Sequence, residues 1–425
     1  MRLTYEEQQM LNGERGEAVQ RAMDLLVRYG EALGAEDLVK VSSVSSGLVM
    51  TLPNNPPEGA DRYEALFCEF HLDSQTTVKV PEAAIGCCTI LRPMDTRLWE
   101  VQGVSPSVYE FAEGIECFCS KRGISPTFTC APYLVGYVPM LGEHCAWMES
   151  SAVPICNSVF GARTNTEGYE SAGAAMMTGR TPNWGYHLKE NRYGHYQVDL
   201  DYEVESCVDW GLLGYHTGWI VQEKIPVFNG AKHQPNLRRM MYCAAAGASS
   251  GGVEMFHVVG YTPEARTLED AFGGRKPVEK LVFGAKERRE AYEHLQTAKS
   301  EDVDFVVLGC PHYSLDEILM VARMLDGKRI SEICNLWIHT ANAIKAMADR
   351  AGYTEIIEKA GAYLMVDCCP NTARVAPKGA KVAACDSPKQ AHHMYSILNI
   401  PSWYGSMEDC VNAALTGKWR GSLDG

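Results

Sequence analysis

Between residues 303 and 389 the chain alternates short apolar runs with amphipathic helical patterns, and this alternation constrains the fold more than any other feature. Val303 to Gly309 is an apolar, β-branched run closed by glycine, and Ser314 to Met324 follows with helical periodicity. Ile333 to Ile338 then leads into a helical Thr340 to Ala351, and Ala362 to Val366 and Val382 to Cys385 repeat the theme. A strand returns parallel to its predecessor only through a crossover, so a βα series predicts a parallel sheet covered by helices.

Ligands of such sheets bind beyond the carboxyl ends of the strands. The residues after each predicted strand are chemically capable: Cys310 with His312, His339 with Thr340, Asp367 with Cys368 and Cys369, and Asp386 with Ser387 and Lys389. They are far apart in sequence, yet the topology predicts that they converge.

A second stretch, Pro126 to Gly168, is dense in small and polar residues. Thr127, Phe128 and Thr129 favour a strand that ends at Cys130, and Pro132 marks a turn. Glu143, His144, Glu149, Ser150, Ser151, Asn157, Arg163 and Asn165 then lie among glycines and alanines, a pattern expected of a site. Arg163 has the planar fork that grips a carboxylate in two places, while Lys389, opening a helix after Ser387, suits a second anionic group. A structural salt bridge is the competing reading for both. Glu149, Ser150 and Ser387 complete the candidate catalytic set. His144 and His312 read as orienting neighbours rather than proton carriers.

Cys130, Cys310 and one of Cys368 and Cys369 each follow a strand. Three thiolates suit an iron-sulfur cluster with one iron left open as a Lewis acid, but zinc, a catalytic thiol and plain burial compete for the same residues. Most of the 16 cysteines read as small buried apolar residues, the adjacent Cys87 and Cys88 included, and no paired CxxC spacing signals a zinc ribbon.

Composition excludes several classes. A chain of 425 residues with 46% hydrophobic and 22% charged residues can bury a large core in two or three lobes. Its formal charge of -14 argues against a nucleic-acid surface and leaves a small anionic substrate open. No apolar signal region and no run of transmembrane length are present, so a soluble cytoplasmic protein without membrane contact is expected.

The remaining chain reads as scaffold. Thr4 to Gly30 is a helix or helix pair with a capping box at Thr4 and Glu7, Thr76 to Val80 is a strand candidate, and Ser107 to Arg122 is a helix stopped by Gly123. Gly179 to Gly194, with Arg180, His187, Lys189 and Arg192, is either a solvated loop or a lid. Ala244 to Gly252 offers small residues for close packing or for backbone contact with an anion. Lobes at 1–235 and 236–425 are the expected division.

The segments TFTCAPYLVGYVP, GEHCAWMESSAV, NSVFGARTNTEG, ASSGGVEMFHVVGYTPEA, VLGCPHYSLDEI and CDSPKQAHHMY, in that order, resemble the aconitase X family. The resemblance runs from the first residues to about Tyr395. It implies an aconitase-like α/β fold of several lobes with parallel sheets, hydro-lyase chemistry on a small hydroxy acid, and an iron-sulfur cluster, with 4Fe-4S favoured over 2Fe-2S. The ligands implied are Cys130, Cys310 and Cys369, since the family has Asp-Thr-Cys where this chain has Asp367, Cys368 and Cys369. The family's serine base sits on a small swivelling domain. The short tail after Tyr395 leaves no room for it, so a separate small subunit is expected as partner. VPEAAIGCCTILRP and the region Ser45 to Asp61 depart from the family's versions. Cis-3-hydroxy-L-proline is the favoured substrate and mevalonate 5-phosphate the alternative. A non-catalytic iron-sulfur redox sensor is the reading from another class.

Overall fold

Three parallel sheets dominate the computed structural model, which describes residues 1–46 and 79–423. The first sheet orders Ile124–Ser125, Cys87–Thr89, Ser43–Ser46 and Cys145–Trp147, all parallel. The second orders Glu279–Phe283, Tyr196–Leu200, Pro226–Asn229 and His257–Val258. The third orders Tyr363–Val366, Asn335–Thr340, Phe305–Leu308, Ala383–Cys385 and Ser402–Tyr404. A small antiparallel pair, Leu38–Lys40 with Arg180–Pro182, stands beside them.

The third sheet follows the predicted alternation closely. Helices Leu315–Leu325, Asn342–Arg350 and Pro388–Leu398 separate its strands, and Ser314 with Glu317 closes a capping box at the first of them. Its inner strands are buried on both faces, which is why they read as unbroken apolar runs. The parallel α/β architecture expected from the sequence is therefore the one observed.

The amino terminus forms two helices, Tyr5–Leu11 and Glu17–Ala32, the first opened by the Thr4 and Glu7 capping box. Thr76 to Val80 lies almost wholly outside the described residues, as does most of Ser45 to Asp61. Helix Pro106–Lys121 matches its predicted bounds within a residue and stops at Gly123, whose φ of 67 only glycine adopts readily.

The strand expected at Thr127 to Thr129 is displaced. The pairing residues are Ile124 and Ser125, because Pro126 has no N–H for the ladder and Phe128 turns into the left-handed region at φ 41. Cys130 is thus delivered by a tight turn after the strand rather than by the strand itself.

Small residues at 244–252 serve close packing. They belong to helix Leu237–Gly251, which lies against helix Cys207–Val221 so tightly that a Cβ on Gly214 would come within 2.2 Å of the Cys243 carbonyl oxygen. A division at 235/236 falls inside the second sheet, whose strands Pro226–Asn229 and His257–Val258 pair across it. No helix among the described residues is long and apolar enough to cross a membrane.

Candidate active site

The carboxyl ends of the first and third sheets face one another. Cys130 and the Glu149–Ser151 turn follow strands of the first sheet; Cys310, Cys369, Ser387 and Lys389 follow strands of the third. The Lys389 ammonium lies within electrostatic reach of all three thiols, Cys130, Cys310 and Cys369. It donates hydrogen bonds to Glu149 Oε1 at 3.0 Å and to Ser150 Oγ at 3.0 Å.

Glu149 is fixed from its other side. The Ser151 N–H and hydroxyl donate to Oε1 at 3.3 and 3.1 Å. Burial opposes its ionisation, but Lys389 and the Ser151 donors prevail and hold its pKa below the usual carboxylate value. Burial would likewise strip Lys389 of its proton, and Glu149, Cys310 and Cys130 together outweigh that and raise its pKa. The pair is ionised on both sides. Ser387 caps helix Pro388–Leu398, its hydroxyl accepting from the Gln390 N–H at 3.4 Å, and lies near enough to Cys310 to favour the thiolate there.

Two of the three thiols have a backbone donor aimed at them. The His312 N–H points to Cys130 Sγ at 3.3 Å, and the Thr372 N–H to Cys369 Sγ at 3.4 Å. Burial pushes Cys310 up to about 12 and raises Cys130 and Cys369 too, so without a further positive charge all three hold their protons. A bound metal supplies that charge and takes the thiolates outright. Among the described residues no three His, Cys, Asp or Glu side chains stand close enough to hold a single metal ion. Cluster ligands are spaced more widely than those of a single ion, about 4 to 7 Å apart for metal-thiolate bonds of about 2.3 Å, and three thiols near one ammonium are the donor type that an iron-sulfur group requires.

Packing separates Cys368 from Cys369. Cys368 is fully buried and its Sγ accepts from Gln102 Nε2 at 3.4 Å, whereas Cys369 is only half-buried and starts helix Pro370–Ala373. The carbonyl of Cys368 is held by two histidine ring N–H groups, His312 Nε2 at 3.0 Å and His339 Nδ1 at 2.9 Å. His312 must then accept the Thr129 hydroxyl on Nδ1, at 3.1 Å. Burial lowers these imidazoles to about 4 and about 3, keeping both neutral. His312 therefore orients its neighbours.

Arg163 is not brought to this group. The parallel bridge between His144 and Arg163 places it before strand Cys145–Trp147, while Glu149 comes after that strand, and three strand residues alone span roughly 10 Å. Its Nη1 donates to the His187 carbonyl at 2.7 Å, beside the stacked His144 and His187 rings. Arg180 is also elsewhere, buried in ion pairs with Glu6 and Glu7. The segment from Gly179 to Gly194 is neither a free loop nor a lid in this structure: Arg180–Pro182 is a strand, His187 is buried, and Arg192 is clamped by Glu264.

Much of the polar density at 143–165 pins backbone. Asn157 Oδ1 accepts from the Thr164 N–H, and its Nδ2 donates to the Thr164 and Glu254 carbonyls. Asn165 does the same for Tyr186 and Trp184. Asp386 is buried, accepting from the Tyr242 and Tyr313 hydroxyls, and burial raises its pKa to about 6. Sequence reasoning did not single out Gln102, since its contact with Cys368 joins residues 266 positions apart and leaves no local periodicity.

A chain of parallel sheets with thiols, a carboxylate and an ammonium gathered at the strand ends has the build of a small-molecule enzyme. Family models described as the first, second and third domains of aconitase X match residues 1–190, 194–293 and 303–416. The chain is 38% identical to the phosphomevalonate dehydratase large subunit of Methanocaldococcus jannaschii, covering 97% of this chain and 99% of that protein. It is 32% identical to the cis-3-hydroxy-L-proline dehydratase of Pseudomonas aeruginosa, covering 98% of this chain and 70% of that protein. A crystal structure of Thermococcus kodakaraensis aconitase X in its holo-form superimposes with a TM-score of 0.81 at 30% identity, over 97% of this chain and 100% of that one. The chain belongs to the aconitase X family, whose named relatives here are dehydratases, that is, hydro-lyases.

Proposed function

We propose that this chain is the catalytic large part of an iron-sulfur hydro-lyase that eliminates water from a small β-hydroxy carboxylate. The observation that carries the reading is the sharing of one ammonium, Lys389, by three thiols at facing strand ends. Cys130, Cys310 and Cys369 would hold the cluster, 4Fe-4S being favoured because three ligands leave one iron free. Such an open iron supplies Lewis acidity toward a substrate hydroxyl.

The chain's own residues do the rest. Lys389 attracts the substrate carboxylate, and Glu149 keeps it charged and fixed when the site is empty. Ser150, on the exposed rim of the same group, orients substrate oxygens by hydrogen bonds, whereas Ser387, fully buried, acts by fixing the start of the helix that carries Lys389. Arg163, held by the His187 carbonyl, acts on the fold of the 143–165 segment and on the substrate only from a distance. The proton beside the carboxylate is left to a base on a small partner, the serine that the family resemblance implies.

Several relatives are named large subunits, which supports a small-subunit partner for this chain. Val138, Met140 and Leu141 are 51%, 69% and 62% exposed on the loop before strand Cys145–Trp147, an apolar patch open to such a partner but set at the amino ends of the first sheet, with Glu143 and Ser42, rather than beside Lys389. The described cysteines are all free, which supports a reducing, cytoplasmic setting.

Cis-3-hydroxy-L-proline carries a carboxylate and no phosphate, in keeping with a single cation at the described constellation. Mevalonate 5-phosphate is the second reading, favoured by the higher identity to phosphomevalonate dehydratase subunits. Anaerobic coexpression with a small partner, iron and sulfide analysis, and dehydration assays on both compounds test the proposal. Iron-loaded protein inert toward both would overturn the substrate reading, and a chain that binds no iron the cluster reading.

A further inference from the structure

The structure contains two non-glycine residues in the left-handed region that each stand two positions before a proposed ligand. Phe128, at φ 41, precedes Cys130, and Asp367, at φ 66, precedes Cys369. One side chain touches both. The Arg92 guanidinium lies over the Phe128 ring, 4.0 Å from its centroid, and its Nη2 is 3.4 Å from Asp367 Oδ2. The Arg92 N–H also donates to the Asp367 carbonyl at 2.8 Å. Arg92 is 5% exposed, so these contacts lie out of reach of solvent.

Arg92 follows strand Cys87–Thr89 of the first sheet, whereas Asp367 ends the edge strand of the third. The residues after Arg92 reach the same edge: Asp95 Oδ2 accepts the Val366 N–H at 2.9 Å, Arg97 Nη2 donates to the Leu364 carbonyl at 3.1 Å, and Gln102 holds Cys368. This segment clasps the third sheet, and Arg92 is the point at which the clasp also meets the turn bearing Cys130. Left-handed conformations at residues with a side chain persist only where surroundings impose them. Phe128 has the Arg92 cation over its ring and its N–H on Thr89 Oγ1 at 3.0 Å; Asp367 has Arg92 Nη2, itself bonded to Glu116 at 3.1 Å, as an ion-pair partner and the Asn342 N–H on its Oδ1 at 2.7 Å.

We infer that Arg92 is a positioning residue: by gripping Phe128 and Asp367 together it sets where Cys130 and Cys369 stand relative to Cys310. The inference rests on the reading of these three cysteines as one ligand set. It assigns a role to the segment LRPMDTR, which the hydro-lyase reading leaves unused.

The test uses the full chain in its metal-free form and after reconstitution. Dibromobimane, a short bifunctional thiol reagent, should link Cys310 to Cys130 and to Cys369 in the wild type, as read by peptide mass spectrometry. In Arg92→Gln, checked for a wild-type unfolding profile, both links should fall, and iron should bind about 10- to 100-fold more weakly. Arg92→Lys, which keeps the charge without the planar fork, should restore the Cys369 link more than the Cys130 link. If Arg92→Gln does not fold, Phe128→Leu should lower the Cys130 link and Asp367→Asn the Cys369 link, asparagine being tolerated at this φ. Folded variants with wild-type linking and iron affinity overturn the inference. A wild type whose thiols link but bind no iron sinks the cluster reading instead, and Arg92 then stands or falls on the links alone.

Discussion

Lys389 Nζ lies 3.0 Å from Glu149 Oε1, two residues 240 positions apart that meet because the carboxyl ends of two parallel sheets face each other. Their side chains are 12% and 14% exposed, so removing one partner leaves a nearly buried charge. Glu149→Gln is expected to destabilise the chain by about 3–5 kcal/mol, and Glu149→Gln with Lys389→Met to recover much of that loss, because neither charge then remains. Urea unfolding of the three proteins checks this. Equal stability of Glu149→Gln and wild type would show that the pair is solvated.

Alanine at Cys130, Cys310 or Cys369 should abolish bound iron and visible absorbance together. Alanine at Cys368, whose thiol faces Gln102, or at Cys87, buried in the first sheet, should leave both in place at some cost in stability. Iron analysis after anaerobic reconstitution decides it. Colour retained in Cys369→Ala and lost in Cys368→Ala would reverse the assignment.

Acid should weaken the fold through His187. Its ring is 1% exposed, and burial together with His144, Arg192 and Arg163 lowers its pKa from 6.5 to about 3. Below pH 6.5 the unfolded chain takes up a proton that the folded chain refuses, so this contribution is complete above 6.5 and declines as pH falls. The loss from this residue reaches about 2 kcal/mol by pH 5. Comparing urea midpoints at pH 7.5 and pH 5, His187→Gln should show a shallower decline than wild type. An identical decline would mean that His187 protonates freely in the folded state.

Charge placed on the apolar patch at Val138 to Leu141 should break partnership without touching the metal site, which lies at the other end of the first sheet. Met140→Lys with Leu141→Lys, both exposed residues, should keep wild-type iron content and lose most of the activation given by the small partner. General-base catalysis contributes about 10²- to 10⁴-fold, which sets the size of the drop. Full activity of the isolated chain, or unimpaired activation of the variant, would remove the loop from the interface.

What the sequence by itself determined is the order of strands and helices in the last third, and with it which groups stand at strand ends. Apolar runs and capping boxes such as Ser314 with Glu317 act over a few residues, so Cys310, Cys369, Ser387 and Lys389 could be placed after their strands without any tertiary information. Tertiary structure alone decided which side chains meet. Gln102, 266 positions away, holds Cys368 in the core, while Cys369 stays half-buried within electrostatic reach of Cys310 and Lys389. The His187 carbonyl holds Arg163 at the far end of strand Cys145–Trp147, and Asn157, which read as a site residue, is occupied with backbone. Arg92 carries no periodic signal because its partners lie on two different sheets. Periodicity is a property of neighbours in the chain, whereas the partner of a buried polar group is fixed by whichever distant segment packs against it.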